Sequence, residues 1–299
     1  MSRIQVVYRL SRPIQILFAL LTYGLGLGLA RYLGNTLRFE PQIFGGVIVI
    51  LLLAASNLLT EYFRPFNEPL LPPSPAGESM APKEREELRA LLLTISAAFI
   101  ALACVLAFLL QHDGFIQADT ALVLAAFILL ALANAIPPVR LFNRGLGEFS
   151  SSLLISSLTP TLAFLLQTHN IHRLLALFTF PLFLITLSYF LSMNFPVYAD
   201  DLKYARRSML VALTWQRAVP VHNGLLIAAY LVLAAAPFLG VAFGLVWPAL
   251  LTLPLAAYHI FTLRNIAEGA KPLWTAFIVT ATAIMGLSAY LLTLTFWLR

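Results

Sequence analysis

Nine stretches of about 20 mostly apolar residues, separated by short charged or proline-rich connections, run along the chain. A run of that length is what an α-helix needs to cross the roughly 30 Å hydrocarbon core of a bilayer. Inside lipid every backbone polar group has to be satisfied within the protein, which leaves such runs little choice but to be helices. The spacing predicts spans near 12–33, 42–63, 87–111, 118–137, 146–167, 173–195, 217–238, 240–263 and 272–298. Only 11% of the residues are charged, against about 25% in soluble domains. The expected fold is therefore an all-α, polytopic integral membrane protein, with residues 1–299 forming a single transmembrane domain. The first apolar run follows Arg3, Arg9 and Arg12 and has no small-residue cleavage site behind it, so it reads as a span rather than a cleavable signal. The single cysteine, Cys104, lies in an apolar stretch and excludes a disulfide framework or a cysteine-based metal site.

Charge is distributed unevenly over the connections. Alternating spans put the N-terminal segment and the connections after the second, fourth, sixth and eighth helices on one side. That side holds Arg3, Arg9, Arg12, Arg64, Lys83, Arg85, Arg89, Arg140, Arg144, Lys203, Arg206, Arg207, Arg217, Arg264 and Lys271, fifteen of the 19 basic residues. Only Arg31, Arg38, Arg173 and Arg299 fall on the other. By the positive-inside rule the basic side faces the cytoplasm of a cell membrane. A net charge of only +6 gives no case for nucleic acid as a partner. The acids Glu61, Glu68, Glu148, Asp200, Asp201 and Glu268 also sit at or near these helix ends. Either this face acts on something delivered to it, or its charges are simply solvated. Pro160, Pro181, Pro248 and Pro254 fall inside spans, where neighbours must satisfy the backbone groups they free. Gly24, Gly26 and Gly28 follow no strand, so they read as a small-residue packing face rather than a dinucleotide fingerprint.

Three connections carry the chemistry. After the second helix, Asn57, Thr60, Glu61, Arg64 and Glu68 share one face at helical spacing, and the chain continues through Pro69, Pro72, Pro73, Pro75 and Pro82. After the fourth comes Pro137-Pro138-Val139-Arg140-Leu141-Phe142-Asn143-Arg144-Gly145-Leu146-Gly147-Glu148. After the sixth, Asp200 and Asp201 lie within a turn or two of Lys203, Arg206 and Arg207. Carboxylates hold Mg²⁺ and guanidinium or ammonium groups hold phosphate oxygens. This last cluster is either a grip for a metal–diphosphate or an ion-pair patch at the membrane surface.

Together these runs resemble the UbiA-type membrane prenyltransferases. The second connection is similar to the PPLRLKYRGLGE run of naphthoate prenyltransferases. Phe195-Pro196-Val197-Tyr198, with Asp201 and then Arg206-Arg207-Ser208, is similar to their FPDYEADKxxGKRT run. Phe66-Asn67-Glu68-Pro69, with Pro72 and Gly77 beyond, resembles the INEPYRPIPSG run of chlorophyll-synthase-like members, and Ser11-Arg12-Pro13 matches a common family opening.

The resemblance implies a bundle of nine helices around a lipid-open cavity facing the cytoplasm. It implies an Mg²⁺-dependent transfer of a polyprenyl group from a polyprenyl diphosphate to a lipophilic or aromatic acceptor, among membrane lipids. A quinone precursor is the acceptor favoured by the second and third runs. On this basis Asp201, Asp200 and Glu61 are the expected catalytic acids and, with Glu68, the expected Mg²⁺ ligands. Asn57, Arg64, Arg140, Arg144, Lys203, Arg206, Arg207 and Tyr198 are the expected substrate-binding residues. The chain also departs from the pattern. One alignment puts Ser56, Asn57, Thr60 and Arg64 where the family has Asn, Asp, Asp and Asp; another, led by Asn57-Leu58-Leu59-Thr60, keeps Glu61 as an acid, with Glu68 standing in for the last one. Val197 occupies the place of the first aspartate in the third run, and Asn134 the place of a common tyrosine. A family member that lost the chemistry and handles lipid without catalysis is the competing reading. Elsewhere, His169 and His172 read as surface residues, and His222 and His259 have no acidic neighbour in sequence. Trp215, Trp274 and Trp297 suit interfacial anchors. Tyr62, Phe63, Tyr189 and Tyr198 suit either aromatic packing or shielding of a prenyl cation.

Overall fold

Helices make up all the regular structure among the described residues, 3–65, 68 and 81–299, of the computed structural model. Nine are long and apolar enough to cross a membrane: α1 (Pro13–Tyr32), α2 (Phe39–Tyr62), α3 (Pro82–His112), α4 (Ala118–Ala135), α5 (Gly147–Thr168), α6 (Arg173–Lys203), α7 (Trp215–Leu239), α8 (Phe243–Ala267) and α9 (Trp274–Trp297). Each coincides with a span expected from the sequence. Three (α2, α3 and α7) start earlier, and α6 runs on to residue 203 through a tightened turn at Phe195–Val197, which carries Asp200 and Asp201 on its last helical turns. Pro13 and Pro82 sit in the first turns of α1 and α3, where a missing N–H costs nothing.

The interior prolines have visible consequences. Ahead of Pro160, α5 widens into a π turn over Leu154–Leu158. The carbonyls this releases are taken by hydroxyls: Thr159 donates to Leu154 (2.8 Å), and Thr22 of α1 donates to Ile155. The span read as one helix around Pro248 and Pro254 is instead two, Phe243–Leu250 and Leu253–Ala267. Pro254 has no N–H for the turn before it. At the break the Thr252 hydroxyl bonds the Ala249 carbonyl (2.7 Å), the Tyr230 hydroxyl (2.7 Å) and the Ser288 hydroxyl (3.0 Å).

The glycine triplet of α1 packs as its spacing predicts. A Cβ on Gly26 would run into the Pro160 carbonyl of α5. Gly24 and Gly28, one turn apart, face α9: the Trp297 indole N–H donates to the Gly24 carbonyl (2.9 Å), and a Cβ on Gly28 would meet the same ring at 2.9 Å. Around these contacts lies an apolar core with Phe127, Phe164, Phe178, Phe296, Leu25 and Leu29 fully buried. By contrast α3 exposes Leu102, Val105 and Phe108, as a helix bordering lipid does. A short amphipathic helix, Arg3–Leu10, tucks Val6 and Leu10 against Leu58, Leu88 and Leu92 of α2 and α3.

Candidate functional site

The ends of α2, α4, α5 and α6 converge, together with the start of α1. Local structure places each charge. Arg12 takes a left-handed backbone (φ 56°) as the chain turns into α1, and its guanidinium lies 4.9 Å over the Phe142 ring. Next to it, the Ser11 carbonyl accepts a hydrogen bond from the Asn57 side chain (3.0 Å). Ser56, one residue earlier, donates to the Ala131 carbonyl of α4 (2.7 Å). Gly145 (φ 76°) lets the loop after α4 turn closely against the segment following α6, where a Cβ would meet Ala212 at 2.9 Å. The Arg64, Pro65 and Glu68 carbonyls are held from α3: Arg89 donates to that of Arg64, and Arg85 to those of Pro65 (2.8 Å) and Glu68 (2.7 Å).

The result is a polar cavity of about 180 Å³ lined by Arg12, Arg64, Arg140, Arg206, Glu68, Glu148 and Asp201, among others. Its charges fall into two groups. In one, the buried Glu61 carboxylate lies between Arg12 (3.2 Å) and Arg64 (2.6 Å). Arg140 lines the same cavity, and its buried Nε finds no hydrogen-bond partner among the described residues. Burial holds the Arg64 guanidinium below its ordinary pKa, with Glu61 pulling it back up; burial likewise lowers Arg140, opposed by Glu68 and Glu61.

In the other group Arg206 joins two acids from different connections, Glu68 (2.8 Å) and Asp201 (3.6 Å). Asp201 also accepts from the Ser208 hydroxyl (2.7 Å). Glu148 anchors the following segment by accepting the Met209 N–H (3.0 Å) and the Asn194 amide. Glu148 was not singled out from the sequence as a site residue, although its glycine-rich run was.

The expected site residues thus separate. Arg64, Glu68, Arg140, Asp201 and Arg206 meet at the cavity, and Glu61 lies outside its lining, paired with Arg12 and Arg64. Asp200 is exposed and outside its lining, because consecutive helical residues point about 100° apart. Arg144, Lys203 and Arg207 are exposed too; Arg144 donates to the Pro138 carbonyl (2.7 Å), and Lys203 lies over the Tyr204 ring. Tyr198 packs against Trp215 and Asn57 is engaged with Ser11. Phe66, Asn67, Pro69, Pro72 and Gly77, which carry part of the resemblance, lie outside the described residues.

The expected Mg²⁺ ligands fit the ion poorly as they stand. Among the described residues no three His, Cys, Asp or Glu side chains are grouped as a metal site. Glu61, Glu68 and Asp201 each already have a guanidinium partner.

Two further features were not legible in the sequence. Deep in the bundle the Ser192 hydroxyl lies between the Nε2 atoms of His222 (2.9 Å) and His259 (3.1 Å), joining α6, α7 and α8, while His259 Nδ1 meets the Thr280 hydroxyl of α9 (2.8 Å). The cluster is fully packed and reads as polar glue between helices. Beside the polar cavity, an apolar groove of about 520 Å³ runs between the Arg3–Leu10 helix, α1, α2 and α3. Ser11 borders the groove and Arg12 the polar cavity, so the two are separated by the start of α1.

No protein-family model matches the chain, and no curated protein matches it significantly. Solved structures do. A UbiA homolog from Archaeoglobus fulgidus bound to GPP and Mg²⁺ matches with a TM-score of 0.66 at 16% identity, over 96% of this chain and 99% of that one. The same homolog bound to DMAPP and Mg²⁺ gives 0.62 at 16% identity, over 96% and 98%. A digeranylgeranylglyceryl phosphate synthase gives 0.62 at 13% identity over the whole of both chains. Matched over nearly the whole of both chains, and with nine candidate spans among the described residues, this chain has the fold of the UbiA-type membrane prenyltransferases.

Proposed function

We propose that the chain transfers a prenyl group from a prenyl diphosphate to a lipophilic acceptor within the membrane. The observation that carries this reading is the arginine-lined cavity at one end of an apolar bundle with this fold. Two of the matched structures hold prenyl diphosphates, GPP and DMAPP, which supports a donor of that class here. As the C–O bond to the diphosphate breaks, negative charge grows on the leaving oxygens and positive charge on the allylic carbon. Preorganised guanidinium groups stabilise the first. The buried Tyr189 ring, edge-on to Phe18 at 5.1 Å and to Phe190 at 5.2 Å, belongs to the water-poor interior that shelters the second. Magnesium accompanies the diphosphates in those matched structures. Since the described acids form no metal-binding group, no step here is assigned to a metal ion.

The acceptor proposed is an aromatic quinone precursor, supported by the likeness of the runs at 137–148 and 195–208 to those of naphthoate prenyltransferases. The charged end is proposed to face the cytoplasm of the cell membrane, supported by the fifteen-to-four distribution of basic residues. The pairing of Glu61, Glu68 and Asp201 with arginines favours one competing reading, a lipid-binding protein without turnover. Incubating the protein in lipid nanodiscs with labelled geranyl diphosphate and a membrane lipid extract separates them. Release of diphosphate with transfer of label to an extractable lipid is expected. Retention of intact donor, with no product at any enzyme concentration, would leave the lipid-binding reading.

A further inference from the structure

We propose that the cavity binds the diphosphate of its donor without a divalent cation, Arg12, Arg64 and Arg140 supplying the charge and Arg206 standing between Glu68 and Asp201 where a metal would bridge them. The inference rests on the prenyl-donor reading and concerns how that donor is held.

Three observations carry it. First, Glu68 and Asp201, two of the expected Mg²⁺ ligands that line the cavity, are already engaged by one guanidinium. Mg²⁺ requires oxygens at about 2.0–2.1 Å in near-octahedral order. Glu68 and Asp201, from different connections, meet on one guanidinium, whose Nε and Nη1 lie 2.8 and 3.6 Å from their oxygens. A metal bridging Glu68 and Asp201 would have to displace Arg206, whose side chain is 24% exposed. Second, the cavity has no excess of negative charge to concentrate a cation. Among the described residues Arg12, Arg64, Arg140 and Arg206 line it against Glu68, Glu148 and Asp201, four cations to three acids, with Glu61 paired to Arg12 and Arg64 outside the lining. Third, the charge is polarised. Arg12 and Arg64 both pair with the Glu61 carboxylate, and Arg140 joins no ion pair among the described residues. Counted over the described residues that half carries three arginines to one acid, and guanidinium groups present forked donors that match phosphate oxygens. An anion seated there meets three arginines from the start of α1, the end of α2 and the loop after α4.

The test uses the full chain in nanodiscs, titrated calorimetrically with geranyl diphosphate and with inorganic diphosphate, first in EDTA and then in MgCl₂. The expected Kd for geranyl diphosphate in EDTA lies within about threefold of that in Mg²⁺, and Arg140→Gln weakens it about tenfold or more in EDTA. With Mn²⁺ as a paramagnetic probe, wild type binds none tightly in the absence of diphosphate. Arg206→Gln, which leaves Glu68 facing Asp201, gains binding. Binding of geranyl diphosphate that disappears in EDTA and returns with Mg²⁺ would overturn the inference while leaving the prenyl-donor reading intact. No binding in either condition would overturn both. The wild-type titration decides the matter even if a variant fails to fold.

Discussion

Glu61→Gln keeps the shape of a buried side chain and removes the charge that two arginines share. The Glu61 side chain is 3% exposed, while Arg64 is 16% and Arg12 24% exposed. Removing one partner of a fully buried pair costs about 3–5 kcal/mol, because the other charge is left uncompensated. Water reaches both arginines in part, so about 2–3 kcal/mol is the expected loss here. The double variant Glu61→Gln/Arg64→Gln removes the stranded cation as well and should recover at least about 1 kcal/mol relative to the sum of the single changes. Unfolding in mixed micelles of increasing SDS fraction, followed by tryptophan fluorescence, measures all three. A Glu61→Gln protein as stable as wild type would refute the reasoning, since Glu61 would then hold no buried charge in place. An additive double variant would show that Arg64 is not its partner.

Asp201→Asn loosens the hold on Arg206 and Ser208 and should lower prenyl transfer by at least about tenfold, roughly 1.4 kcal/mol of barrier, whereas Asp200→Asn should stay close to wild type; a larger loss for Asp200 in the same assay would reverse their roles. Gly26→Ala drives a methyl into the Pro160 carbonyl and should destabilise the bundle by about 1–3 kcal/mol, read as a lower SDS midpoint; an unchanged midpoint would mean that α1 and α5 can separate freely. Cysteines placed singly at Arg144 and Lys203 in a Cys104→Ala background should label only from the cytoplasmic side of oriented vesicles, and labelling from outside would invert the proposed topology.

The spans were legible because length and hydrophobicity alone decide what crosses a bilayer. The π turn before Pro160 and the break at Leu251–Thr252 were not: a proline marks where a helix is under pressure, but whether it widens, kinks or divides depends on which neighbour supplies a hydroxyl. At the site, the sequence brought the right connections together and left their pairings open. Glu68 and Arg206 are 138 residues apart, and nothing local says that one guanidinium will join Glu68 to Asp201. Asp200 and Asp201 are equivalent in a string of letters, and only the rotation of α6 buries one and exposes the other. His222 and His259, unremarkable in their own helices, become partners only when α7 and α8 close on Ser192.

The interlock of Gly24 and Gly28 with Trp297 has a consequence for biogenesis. The indole that reaches the Gly24 carbonyl is 273 residues further along the chain. At about 5–20 residues per second, α1 waits roughly 15–55 s in the membrane before that partner has been synthesised. During that interval its glycine face borders lipid or an insertion chaperone. Because α1 and α9 hold each other, this contact forms only once α9 is made, so a chain stalled before α9 leaves a seam that quality-control proteases can recognise.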